Sequence, residues 1–135
     1  LARRPRFGGL RARRSTGPEV TGYVSRERLR ELYRHARAFV YPSHYEGFGI
    51  PPLEAMACGA PVIATRVGAI PEYAEGAAVL IPPNDVDALR AALTRVLGDP
   101  ALRRELRARG PERARLWSWD RGAQRMAELL AEARA

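Results

Sequence analysis

Residues 38–65, AFVYPSHYEGFGIPPLEAMACGAPVIAT, decide the reading of the fold. Ala38-Phe39-Val40-Tyr41 is a short apolar run stopped by Pro42, and it reads as a buried strand. A loop carrying Gly47 and Gly49 leads into a helix from about Ile50 to Cys58. Pro51 and Pro52 fit only the first turn of that helix, where a missing N–H costs little. Gly59 is placed to stop it, and Pro61-Val62-Ile63-Ala64 is the next apolar strand. Both strands are continuously apolar rather than alternating, and a helix separates them. That pattern predicts a parallel sheet covered by helices on both faces, in the α/β doubly wound class.

The flanking sequence extends the same alternation. Upstream, residues 20–24 read as a short strand, and Ser25 caps a helix over residues 26–37 with Leu29, Leu32, Tyr33 and Ala36 on one apolar face. Downstream, Pro71 opens a short helix, and residues 77–81 form another apolar strand closed by Pro82-Pro83. Asp85 caps a helix over residues 86–97, which Gly98 ends. Asp99-Pro100 starts another, and Gly110-Pro111 is expected to break or kink it. Ser118 caps a last helix with Trp119, Ala123, Met126, Leu130 and Ala133 on one face. Trp117 and Trp119 are expected to anchor packing. Three or four strands are few for such a sheet, so the chain reads as part of a domain, or as a domain without its first strand–helix units.

Composition narrows the function. The 135 residues carry 23 basic and 15 acidic side chains, for a net charge of +8. Every basic residue is Arg, and six of them fall in the first 14 residues, where there is no acid. The remainder is nearly balanced, so the basicity belongs to residues 1–16, read as a solvated tail or truncated remnant. That stretch has Phe7 as its one aromatic residue and carries no recognition fold, so no nucleic-acid partner is expected. No apolar run approaches the length of a membrane span, and the first residues lack the apolar core of a secretory leader. One cysteine, Cys58, rules out an internal disulfide framework and a cysteine metal cluster. It reads as a small buried hydrophobe. A cytoplasmic location is expected, with peripheral contact at the inner membrane left open.

Chemistry concentrates in the glycine loop. In open α/β sheets ligands sit beyond the carboxyl ends of the strands. Gly47 and Gly49 let a ligand approach the backbone, and the amides of Gly47, Phe48, Gly49 and Ile50 are free to point outward. Pro51 and Pro52 donate nothing, so an anion there would rely on the loop and on the Leu53 and Glu54 amides. Glu46 and Glu54 frame the loop. A carboxylate suits vicinal sugar hydroxyls and repels phosphate, so the expected ligand is composite: hydroxyl-rich parts meet the glutamates and anionic parts meet the amides. His44 and Arg66 lie on the same side. A loop histidine is most often simply solvated, and Arg66 is a candidate phosphate contact weighed against an ordinary surface arginine.

The pair Glu46 and Glu54 around Gly-Phe-Gly, followed by Glu-Ala-Met-Ala-Cys-Gly, resembles the donor-binding motif of glycosyltransferase family 4, the group 1 glycosyltransferases. Phe39-Val40-Tyr41-Pro42-Ser43, Ala60-Pro61-Val62-Ile63-Ala64-Thr65 and Gly68-Ala69-Ile70-Pro71-Glu72 agree with it, and the likeness covers roughly residues 17–135. The resemblance implies a GT-B fold, with this chain as a partial C-terminal, nucleotide-sugar-binding domain with a Rossmann-like sheet. It implies transfer of a sugar from a nucleotide-diphosphate donor, with retention at the anomeric carbon and without a metal or other cofactor. Bacterial mannosyltransferases of polysaccharide assembly are the nearest in local sequence, which suggests GDP-mannose and a saccharide or lipid-linked acceptor. By the same resemblance Glu46 is the catalytic-site carboxylate beside the donor sugar. Gly47, Phe48, Gly49 and Ile50 line the donor, Glu54 holds the ribose, and Tyr23 and Val24 lie where the base is held.

Two departures from the family pattern stand out. The family holds the diphosphate with an upstream Arg and Lys, and this sequence contains no Lys. The acceptor domain that would precede this segment is not in the sequence. The alternative reading is therefore a non-catalytic nucleotide-binding fragment.

Overall fold

The computed structural model describes residues 17–134. Residues 1–16, with the expected basic tail, lie outside the described residues. Three strands, β1 (Phe39–Tyr41), β2 (Val62–Thr65) and β3 (Val79–Ile81), form one parallel sheet in the order β1-β2-β3. Phe39, Val40 and Tyr41 pair with Val62, Ile63 and Ala64, and Ile63, Ala64 and Thr65 pair with Val79, Leu80 and Ile81. Because strand side chains alternate faces, β2 sends Val62 and Ala64 one way and Ile63 the other. The first pair joins Tyr33, Met56, Ile70 and Tyr73 in one core cluster. Ile63 joins Ile81, Val96, Leu102 and Leu106 in a second. Both faces are thus covered, which is why the strands read as unbroken apolar runs.

The helices are α1 (Arg26–His35), α2 (Ile50–Ala57), α3 (Ile70–Ala74), α4 (Val86–Gly98), α5 (Pro100–Ala114) and α6 (Trp119–Glu132), with a 3-10 turn at Arg115–Trp117. Four start on the caps the sequence announces. Ser25, Asp85, Asp99 and Ser118 each accept a backbone N–H from the first turn with the side-chain oxygen. None of the described helices is long and apolar enough to cross a membrane.

Three expectations fail. Residues 20–24 form no strand: Val20 is 92% exposed, Tyr23 is fully exposed, and Gly22 turns the chain at φ +62°. A strand needs a neighbour for its hydrogen bonds, and among the described residues the sheet extends no further than β1. Of the break or kink expected at Gly110-Pro111, the break does not occur, since α5 continues to Ala114. The proline sits in the last turn, and Gly110 lets α5 press against α2, where an added Cβ would lie 3.1 Å from the Met56 carbonyl oxygen. Packing against α2 outweighs the lost hydrogen bond. Finally, α6 buries none of its residues, and Trp119 is 88% exposed. Trp117 does anchor packing, its ring 6.1 Å from Phe48 and 6.2 Å from Tyr73.

The arginines of α5 have a use that composition did not disclose. Arg107 donates to the carbonyls of Arg34, Ala36 and Gly59, Arg113 to those of Glu72 and Tyr73, and Arg103 to those of Val96 and Leu97. One helix therefore satisfies carbonyls at or near the ends of α1, α2, α3 and α4. A cation there also meets the negative end of each helix dipole.

Candidate functional site

All three strands run in the same direction, so Tyr41, Thr65 and Ile81 end on one edge of the sheet. The loop from Pro42 to Gly49 leaves that edge and is held from below at separate points. The Thr65 hydroxyl donates to the Ser43 carbonyl at 2.6 Å, and the Ala69 N–H donates to the Gly47 carbonyl at 3.0 Å. The Tyr73 phenol donates to the Gly49 carbonyl at 2.5 Å. Gly68, at φ +53°, lies so close that an added Cβ would stand 2.2 Å from the Glu46 carbonyl oxygen. Gly49 is required twice over: it has φ +78°, and a Cβ there would come within 2.8 Å of the Ile70 side chain.

Within this frame Glu46 is half-buried and accepts the Tyr41 phenol on Oε1 at 2.5 Å. That donor, with the Ser43 hydroxyl beside it, holds the carboxyl below the usual glutamate value. The same bond, then burial, pushes the Tyr41 phenol up. Burial foremost raises the Tyr73 phenol, with the Tyr41 and Glu46 charges adding to it. Glu54 is exposed on α2. Burial raises the phenol of Tyr33, and the Glu54 charge raises it further. A ring series, Tyr33 to Phe39 at 5.2 Å and Phe39 to Tyr41 at 6.2 Å, links the neighbourhoods of the two glutamates.

The other sequence candidates fall into place around them. The Phe48 ring packs on Tyr73 at 5.4 Å as well as on Trp117. Phe48 and Ile50 line a groove of about 950 Å3 toward α6, with Leu53, Trp117 and Trp119 but with neither glutamate. Their side chains therefore face α6, and what they offer a ligand at the loop is backbone. Because Pro51 and Pro52 follow Ile50, the orphan donors at the start of α2 come down to Gly49 and Ile50. Leu53 and Glu54 lie past the first turn, where an α-helical N–H is taken by the carbonyl four residues back. They do not extend the anion site as the sequence suggested. Tyr23 and Val24 lie in the irregular segment before α1, Tyr23 on open surface. Arg66 is held by Glu75 through two contacts of 2.8 and 3.1 Å. His44 is exposed, and Cys58 packs half-buried against the first core cluster. Among the described residues no three His, Cys, Asp or Glu side chains gather where they could hold a metal.

Tyr41, Thr65, Gly68 and Tyr73 were not singled out for function in the sequence. Tyr41 and Thr65 read as strand ends, Tyr73 as a residue of a short helix, and Gly68 as one letter of a motif. The only local signal was a tyrosine closing a strand five residues before a loop glutamate.

A parallel sheet with a glycine loop held at three points and a glutamate on each side defines an α/β protein with a candidate site at the strand ends, and comparisons with known proteins give its family. Residues 15–113 match the family model for glycosyl transferases group 1. The chain belongs to that family. It is 48% identical over 99 residues to O-antigen chain mannosyltransferase B of Escherichia coli, covering 73% of this chain and 26% of that protein. It is 44% identical over 100 residues to MMP alpha-(1->4)-mannosyltransferase of Mycolicibacterium hassiacum, covering 71% of this chain and 24% of the other. Among solved structures, sucrose-phosphate synthase from Thermosynechococcus elongatus superposes with a TM-score of 0.74 at 41% identity, over 83% of this chain and 29% of that one. The expected GT-B-type α/β fold is supported by this likeness. The chain spans about a quarter of the length of these two mannosyltransferase relatives, and 12% of other mannosyltransferases it matches.

Proposed function

We propose that residues 17–135 form the nucleotide-sugar-binding part of a retaining glycosyltransferase that takes mannose from GDP-mannose and delivers it to a saccharide or lipid-linked acceptor. The acceptor would be held by a domain outside this chain. Glu54 takes the ribose hydroxyls, Glu46 faces the transferring sugar, and the amides from Gly47 to Ile50 meet sugar and phosphate oxygens. Tyr23 and Val24 border the base. The nucleotide sugar is a substrate, and no resident cofactor enters this reading. The site works at the cytoplasmic side of the inner membrane, where peripheral contact suits a lipid-linked acceptor. The observation that carries the proposal is the loop from Glu46 to Gly49, held by hydrogen bonds from the strand ends and α3, with a second carboxylate on the helix it opens. Preorganised polar groups of this kind favour a charge-developing transition state. The names of the mannosyltransferase relatives support the choice of sugar.

One observation favours a second reading, a nucleotide-binding module without turnover of its own: Arg66, the candidate phosphate contact, is engaged by Glu75.

A hybrid enzyme separates the two. The matched segment of the Escherichia coli relative is replaced by residues 17–134, and transfer from GDP-mannose is measured. Activity is expected. Glu54→Gln should weaken GDP binding by one to two orders of magnitude, the equivalent of losing charge-assisted hydrogen bonds worth about 1.5–3 kcal/mol. Glu46→Gln should lower kcat more than donor affinity, and Cys58→Ala should change neither beyond a few fold. An inactive hybrid whose parent chain still binds GDP would favour the module. Near-parental kinetics in both glutamine variants would overturn the site.

A further inference from the structure

Resting on the reading of Glu46 as the carboxylate beside the transferring sugar, we infer that Tyr41 positions it: the phenol at the end of β1 holds one carboxylate oxygen and so presents the other to the sugar hydroxyls. A glutamate in a loop has three side-chain torsions to fix, and a loop fixes them poorly. Tyr41 is not in the loop. Its backbone pairs with Ala64 in the sheet, and its ring stacks on Phe39 at an interplanar angle of 18°. The hydroxyl is therefore placed by a strand and an aromatic neighbour, the kind of rigid support a functional group needs. It reaches Oε1 at 2.5 Å, within the range of charge-assisted O–H···O⁻ bonds. A carboxylate has two oxygens, and this contact engages one, leaving Oε2 to accept from a ligand.

Tyr41 does not hold the loop itself. The backbone is secured by Thr65, Ala69 and Tyr73 through the carbonyls of Ser43, Gly47 and Gly49. None of those bonds involves the Tyr41 hydroxyl. The phenol therefore acts on the direction of one side chain and on nothing larger. The groups acting on that carboxylate are the Tyr41 phenol from β1 and, more weakly, the nearby Ser43 hydroxyl, which itself donates to the Tyr45 carbonyl at 3.0 Å, and the carboxylate charge is felt in turn by the Tyr73 phenol of α3.

Tyr41→Phe keeps the ring and deletes the bond. In the hybrid enzyme it should lower kcat about 10-fold, since small misplacements of a reacting group carry large kinetic penalties, while the KM for GDP-mannose stays within about twofold. In a Glu46→Ala background the same substitution should have no further effect, because nothing is left to position. Equal losses in both backgrounds would make Tyr41 merely structural and overturn the inference. A Glu46→Ala hybrid with parental turnover would overturn the site reading, and this inference with it. A second measurement needs no activity. Carbon-13 titration of the Glu46 carboxyl in the 135-residue chain should show a higher midpoint in Tyr41→Phe, because the phenol favours the ionised form. An unchanged midpoint would show that the bond does not form in solution, and the inference would fall.

Discussion

Gly68 shows how tightly single positions are set beneath the loop. Its built Cβ would lie 2.2 Å from the Glu46 carbonyl oxygen and 2.6 Å from that of Gly47, and its φ of +53° is left-handed. The conformation alone penalises an L-residue by about 1–2 kcal/mol. Gly68→Ala should therefore destabilise the chain by more than that, because the clash is with backbone and has no rotamer to relieve it. Urea unfolding checks the prediction, and a loss below about 0.5 kcal/mol would show that the loop yields. Tyr73→Phe makes the complementary test. It strips the hydroxyl from a fully buried ring and leaves the Gly49 carbonyl without that donor. A loss of about 0.5–1.5 kcal/mol is expected from deleting one hydrogen bond to a carbonyl that still accepts from the Leu53 N–H. The two glutamates and the loop glycines were legible in the sequence because their chemistry is carried by residue type and spacing. Gly68 and Tyr73 were not, because their importance comes from what approaches them from another element.

Elements divide along the same line. Helix starts at Ser25, Asp85, Asp99 and Ser118 were readable, since a cap is settled within four residues. The strand expected over residues 20–24 and the break expected at Gly110-Pro111 were misread, since one needed a neighbour and the other was overruled by one. Asp99 gives an element-scale prediction in acid. The N–H groups of Leu102 and Ala101 hold its carboxyl below the ordinary aspartate value. Its folded value is lowered, so its contribution to stability is present above the unfolded value and lost as pH falls through the folded one. Asp99→Asn keeps an acceptor for the cap without the charge. The variant should lose less stability than the parent between about pH 5 and pH 2, read as thermal midpoints across that range. Parallel curves would mean that Asp99 does not contribute through its charge. Arg107→Lys tests the other end of the helices. A lysine ammonium cannot reproduce the planar fork that spans the carbonyls of Arg34, Ala36 and Gly59. It should destabilise by about 1.5–3 kcal/mol, and an unchanged denaturation midpoint would show that water replaces the clamp.

At the scale of the whole molecule, α6 stands apart. It buries no residue, yet Met126, Leu129, Leu130 and Trp119 are exposed along it. Its apolar face was legible in the sequence, but a periodic face says only that something should cover it, not where that cover comes from. Ending the chain after Ser118 should shift the thermal midpoint by less than about 4 °C, as befits a change below about 1 kcal/mol in a domain of this size. Light scattering should also show less association in the shortened chain, because an exposed apolar patch is removed. A collapse of cooperative unfolding would show that α6 stabilises the core from outside it.

The α5 arginines have a consequence in alkali. Guanidinium groups keep their protons at any pH a protein survives, so the carbonyls held by Arg103, Arg107 and Arg113 stay closed where a lysine clamp would be discharged. The phenols of Tyr41 and Tyr73 are both pushed above their ordinary value, so they keep their hydrogens further into base than a free phenol does. Base therefore finds little to remove from these supports, and it is acid that reaches the Glu46 and Asp99 carboxylates, each held below its ordinary value by the groups that donate to it.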